Sequence, residues 1–190
     1  MKLLIIDNFD SFTYNLQHYA KQFCQSVVVK RNNEIDIEEI NQYDGIIISP
    51  GPGLPKDSGI TINAIKTYAS TKKILGVCLG HQAIAEVFGA QLINLKAPLH
   101  GIAIETNTTN TKDLLFDEIP NTFESGRYHS WVVDPDSLFN TPFDIIATDK
   151  LNQIQAIKHT EFNLRGVQFH PESVLTEYGL KMIENWIKKC

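Results

Sequence analysis

Cysteine is scarce: three residues in 190, at positions 24, 78 and 190, odd in number and far apart, which argues against a disulfide framework. No C-x-x-C or H-x-x-x-H spacing occurs, so the sequence offers no metal site. Neither a G-x-G-x-x-G nor a P-loop is present to cradle phosphate. Lys/Arg runs are also missing, and a net charge of −5 leaves no electrostatic footprint for nucleic acid. The N-terminal apolar stretch stops at Asp7, too short for a signal-peptide core, and nothing approaches a membrane span. A reducing, cytoplasmic setting is therefore expected, one that keeps thiols free. With 43% hydrophobic and 21% charged residues, 190 residues suffice for one domain spanning 1–190 that buries most of its apolar surface.

The first half alternates strand and helix signals. Apolar runs at 3–6, 27–29, 45–48 and 74–77 read as strands buried on both faces. Between them, helices are expected over Phe12, Leu16, Tyr19 and Phe23, capped by Asp10 or Ser11, over 34–40, and over 60–68. Such alternation implies an open, mostly parallel sheet with flanking helices, an α/β fold. After Gly89 short strands at 91–95, 102–105, 123–133, 143–148, 154–158 and 166–169 follow one another across polar turns. They read as a mixed or antiparallel C-terminal extension of the same sheet, closed by a helix over 176–189.

Chemistry concentrates at Gly76-Val77-Cys78-Leu79-Gly80, between an apolar strand and the helical pattern of 82–88. This is the G-x-nucleophile-x-G pattern of a strand-to-helix elbow, written with sulfur. Flanking glycines relieve crowding around a sharp turn, and the helix start favours a thiolate. A lone buried cysteine of purely structural role would also fit these residues.

Three clusters can meet Cys78. Ser49-Pro50-Gly51-Pro52-Gly53-Leu54-Pro55 closes the third strand, on the side where open α/β sheets bind ligands. It reads either as a rigid turn or as a stiff loop donating an N–H to an oxyanion, with the Leu79 N–H as the second donor. Gln168-Phe169-His170-Pro171-Glu172 supplies an imidazole to move the proton of a thiol and a carboxylate to orient it. Arg127-Tyr128-His129-Ser130-Trp131 is polar and aromatic enough to line a small polar pocket, and His129 is a rival general base. His81, on the elbow helix, is expected to pack or cap there.

These motifs, together with Asp7-Asn8-Phe9-Asp10-Ser11-Phe12-Thr13-Tyr14-Asn15-Leu16, give the chain a clear resemblance, nearly end to end, to the class I (triad) glutamine amidotransferases. The opening segment and Arg127-Tyr128-His129-Ser130 are similar to the chorismate-using branch, the glutaminase components of anthranilate synthase and of aminodeoxychorismate synthase. The resemblance implies a glutaminase in which Cys78 attacks the side-chain amide of glutamine, His170 transfers protons and Glu172 orients His170. It implies that Gly53 and Leu79 hold the oxyanion, and that Gly51, Pro52, Gln82, Ser130 and Trp131 help hold glutamine. Ammonia would pass to a chorismate-using synthase subunit, component I of anthranilate synthase in tryptophan biosynthesis or of aminodeoxychorismate synthase in folate biosynthesis, or to both. No cofactor is implied in this chain; Mg2+ is expected only in the synthase. Two positions depart from the family pattern: Ile102 stands where a lysine is usual, and Trp131 where a leucine is. Other readings of the same residues are a partner-independent cysteine hydrolase and a relative that binds a synthase without doing chemistry.

Overall fold

The computed structural model describes residues 1–190. In its N-terminal half, β1 (Lys2–Asp7), β2 (Ser26–Arg31), β3 (Gly45–Ile48) and β4 (Lys73–Val77) alternate with α1 (Thr13–Ala20) and α2 (Thr61–Tyr68), and α3 (Leu79–Val87) follows β4 directly. The C-terminal half holds β5 (Leu92–Thr108), β6 (Thr122–Val133), β7 (Phe143–Asp149), β8 (Ile154–His159), β9 (Leu164–Val167) and α4 (Gly179–Lys188). All nine strands form one sheet in the order β2-β1-β3-β4-β9-β8-β7-β5-β6. The pairings from β2 through β9 are parallel, and those from β9 to β6 are antiparallel. The expected fold class is therefore the one observed. No helix is long and apolar enough to cross a membrane.

Alternation along β1 explains why its run is wholly apolar. Leu3 and Ile5 point into one core layer with Leu16, Leu75, Phe169 and Trp186, beneath α1 and α4. Leu4 and Ile6 point into the other with Ile46, Ile65, Ile74 and Ile84, beneath α2 and α3. Each fully buried aliphatic side chain contributes about 1.5–3 kcal/mol of transfer free energy.

Several boundaries differ from the sequence expectation, each for a local reason. Neither Asp10 nor Ser11 caps α1 directly; the cap position is Phe12, whose N–H donates to the Asp10 carboxylate at 2.7 Å, while Asp7 accepts from Thr13 Oγ1 at 2.8 Å. The expected helix over 34–40 is instead one 3-10 turn, Glu38–Gln42. The two strands expected at 91–95 and 102–105 are one strand, β5, whose continuity is masked by irregular pairing between Asn94 and Leu99 and between His100 and Ile102, with Gly101 at φ 68°. The last strand ends at Val167, so Gln168, Phe169 and His170 lie beyond it. The terminal helix starts at Gly179 and not at 176, because Tyr178 is left-handed at φ 57°.

Candidate active site

The site forms where β4 and β9 end side by side. Gly76 pairs with Gly166 and Val77 with Val167, so Cys78 and Gln168 leave neighbouring parallel strands on the same edge. The Cys78 N–H donates to Val167 O at 2.8 Å, tying the elbow to β9.

Cys78 occupies φ 51°, ψ −102°, a conformation rare outside glycine. Such a residue stores on the order of 1–3 kcal/mol, and persists only where its surroundings enforce it. Here the glycines enforce it by contact. A Cβ on Gly76 would lie 2.4 Å from Gly80 O, and one on Gly80 2.5 Å from Ile48 O. Strand, elbow and helix thus touch backbone to backbone, and Leu79, the first helical residue, keeps an N–H with no acceptor inside the helix.

His170 is buried, and its Nδ1 lies 2.7 Å from Glu172 Oε1, a carboxylate equally hidden from solvent. Tyr128 and Phe12 meet the imidazole at ring-centroid distances of 4.9 and 6.2 Å. Tyr128 Oη in turn lies 3.0 Å from Ser173 Oγ. Burial alone would push the His170 pKa down, but hydrogen bonding and charge from the Cys78 sulfur, and then from Glu172, carry it well above the usual imidazole value. His170 Nε2, the other ring nitrogen, has no hydrogen-bond partner.

His129, the rival base, faces no carboxylate. Burial, with Arg127, His170 and His81 nearby, pushes its pKa down to about 3, so it stays neutral. His81 packs, as expected for the elbow helix: it is wholly buried against Gly166, where a Cβ would lie 2.6 Å from its Nδ1, and burial holds its pKa at about 3. Cys24 and Cys190 are part-buried at the edge of one core layer, away from the elbow.

Cys78 opens onto two cavities. One, of about 170 Å³, is lined by Gly51, Pro52, Gly53, Leu79, Gln82, Ser130 and Trp131 together with Tyr128 and His129, so every residue expected to hold glutamine or the oxyanion meets there. Gly53 is at φ 78°, a left-handed turn that suits glycine. The other cavity, of about 300 Å³, lies toward Phe9, Asp10, Phe12, His100 and His170. Gln82 Nε2 donates to Trp131 O at 2.8 Å. The contact uses the Trp131 backbone, so tryptophan in place of leucine leaves it intact. Ile102 is exposed on β5 and lines neither cavity.

Sequence reasoning gave no role to Asn8 or Gln168. Asn8 Nδ2 donates to Ser49 O at 3.0 Å, and Asn8 Oδ1 accepts from Asn32 Nδ2 and Thr61 Oγ1, each at 2.9 Å. A Cβ on Gly51 would fall 2.6 Å from Asn8 Cβ, so the Pro-Gly loop is seated directly on Asn8. The signal was present in the opening motif, but its partners lie up to 53 positions away.

Comparison with known proteins points the same way. Residues 4–190 match the family described as glutamine amidotransferase class-I. The chain is 42% identical over 188 residues to aminodeoxychorismate/anthranilate synthase component 2 of Bacillus subtilis (strain 168), covering 98% of this chain and 95% of the relative. It is 40% identical over 189 residues to aminodeoxychorismate synthase component 2 of Escherichia coli (strain K12), covering 98% and 100%. To anthranilate synthase component 2 of Pyropia yezoensis it is 43% identical over 189 residues, covering 98% of each. Among solved structures, a putative GMP synthase subunit from Thermoplasma acidophilum shares the fold with a TM-score of 0.85, at 24% identity and covering 98% of this chain and 92% of that one. A cysteine elbow seated between two such cavities, in a chain this similar over its whole length, belongs to the class-I glutamine amidotransferase family.

Proposed function

We propose that this chain is the glutaminase component of a chorismate-using synthase, hydrolysing L-glutamine to glutamate and ammonia and passing the ammonia on. The observation that carries the reading is the placement of Cys78 between a small polar cavity and the His170–Glu172 pair.

Glutamine lies in the cavity of Gln82, Ser130 and Trp131, with its side-chain amide against Cys78. The Cys78 sulfur attacks the amide carbon, and the Gly53 and Leu79 N–H groups receive the developing oxyanion. His170, protonated and oriented by Glu172, gives its proton to the departing nitrogen, leaving a glutamyl thioester. Water then reaches the thioester from the His170 side. His170 takes a proton from it as its oxygen bonds the acyl carbon, the C–S bond then breaks with its electron pair returning to sulfur, and glutamate leaves. These steps use only groups of this chain; Mg2+ is assigned to the partner.

The second cavity is the exit for ammonia. Phe9, on its rim, is 51% exposed, and Val174, next to the Ser173 that meets Tyr128, is 96% exposed. Exposed apolar groups around a catalytic mouth suit a docked protein partner. The relatives are named as second components, and one name joins both synthases. We assign the first component of anthranilate synthase as the partner, with that of aminodeoxychorismate synthase as the alternative or as a second client, and we place the pair in the cytoplasm.

The test is to purify the chain with each first component and measure chorismate-dependent glutamine consumption. Amination with one or both partners supports the reading. Glutamine-independent behaviour with both, or turnover of peptides or esters without a partner, would overturn it.

A further inference from the structure

Behind the nucleophile, outside the pocket, lies a buried amide. Gln168 is fully buried, and its backbone N–H is held by Gln155 O at 2.9 Å. Its Nε2 donates to Cys78 Sγ at 3.6 Å, and its Oε1 accepts from Gln82 Nε2 at 3.2 Å. The same Gln82 Nε2 also donates to Trp131 O at 2.8 Å.

This chain of contacts has only one self-consistent direction. Trp131 O is a backbone carbonyl and can only accept, so the Gln82 amide must turn its nitrogen that way. That nitrogen then demands an acceptor from Gln168, which leaves the Gln168 nitrogen, and not its oxygen, facing the sulfur. The reversed amide would oppose donor to donor at Gln82 and place an oxygen lone pair against a thiolate. Sulfur's larger radius lengthens such contacts relative to N–H···O.

We propose that Gln168 is a fixed hydrogen-bond donor to the Cys78 thiolate, with its direction dictated by the Trp131 carbonyl through Gln82. The proposal rests on the glutaminase reading for its purpose, though not for its test. A neutral amide stabilises negative sulfur without competing for the proton that His170 must carry. It acts twice: before the S–C bond forms, and again when that bond breaks in thioester hydrolysis and the electron pair returns to sulfur. Because Gln82 donates both of its amide hydrogens inward, its Oε1 is left as an acceptor for an N–H of the substrate. The wall that binds glutamine and the sulfur that attacks it are thereby parts of one hydrogen-bonded unit.

The experiment alkylates the full chain with iodoacetamide, without glutamine or partner, and follows Cys78 by peptide mass spectrometry from pH 6 to pH 10, with Cys24 and Cys190 as internal references. Gln168→Met keeps length and removes the donor. Its Cys78 rate at neutral pH is expected to fall about tenfold, recovering as pH rises, with the reference cysteines unchanged. Gln168→Glu, which sets a carboxylate against the sulfur, should fall further. Gln82→Leu, which releases the orientation lock, should fall in the same direction but less, and keeps the test open if the Gln168 variants fail to fold. A Cys78 rate within twofold of the parent in Gln168→Met at every pH would overturn the proposal while leaving the glutaminase reading standing. Failure of the partner assay would leave the sulfur contact standing in turn.

Discussion

His170 Nδ1 and Glu172 Oε1 lie 2.7 Å apart, both buried, with a single proline between them in sequence. The carboxylate fixes which imidazole nitrogen faces away, toward the cysteine. Glu172→Gln keeps the shape but removes the charge that helps hold the proton on His170. Glutamine-dependent kcat should fall roughly 10²–10⁴-fold, while amination from free ammonia in the complex with synthase persists. Equal loss of both activities would assign Glu172 to folding or docking instead.

Gly80 lies against Ile48 O, where an added Cβ would come within 2.5 Å of backbone. Gly80→Ala must therefore move α3 or β3. A loss of at least about 1–3 kcal/mol is expected, read as a lower denaturant midpoint with an unchanged m-value, together with loss of glutaminase activity.

Asn8 stitches the Pro-Gly loop to its surroundings through Ser49, Asn32 and Thr61. Asn8→Ala leaves buried polar groups without partners, each costing about 1–3 kcal/mol. Loosening of the loop should raise KM for glutamine and lower kcat, with Cys78 alkylation little changed. Kinetics at several glutamine concentrations, with alkylation as control, check this.

Acid should destabilise the protein through His81 and His129, both held at about 3 in the fold against 6.5 for an ordinary histidine. Between those values the unfolded chain binds more protons than the native one, so stability is present above about pH 6.5 and declines as pH falls. The decline approaches about 1.4 kcal/mol per pH unit for each histidine. Urea unfolding across pH 7 to 4 measures it, and replacing either histidine with an uncharged residue that still folds should flatten the slope.

How much of this was legible in the sequence follows from how local each cause is. Residues 45–48 announce a buried strand because every side chain there is apolar, and the elbow announces itself because its glycines are neighbours in sequence. Cys78, His170 and Glu172 stand out for the same reason, as reactive groups in short motifs. By contrast, β5 is broken on paper by Pro98 and Gly101, and only pairing with β6 shows it to be one strand. The start of α4 turns on the left-handed Tyr178, which no residue type signals. The parts played by Gln168 and Asn8 depend on partners as many as 90 and 53 positions away, so no local pattern could carry them.

In the proposed reaction, Cys78 releases ammonia from glutamine for a partner to use. Its most direct test is Cys78→Ala in the purified complex with the synthase, assayed once with glutamine and once with an ammonium salt at high pH. Glutamine-dependent product is expected to disappear while ammonia-dependent product stays near the parent rate. Glutamine-dependent product surviving in that variant would contradict it.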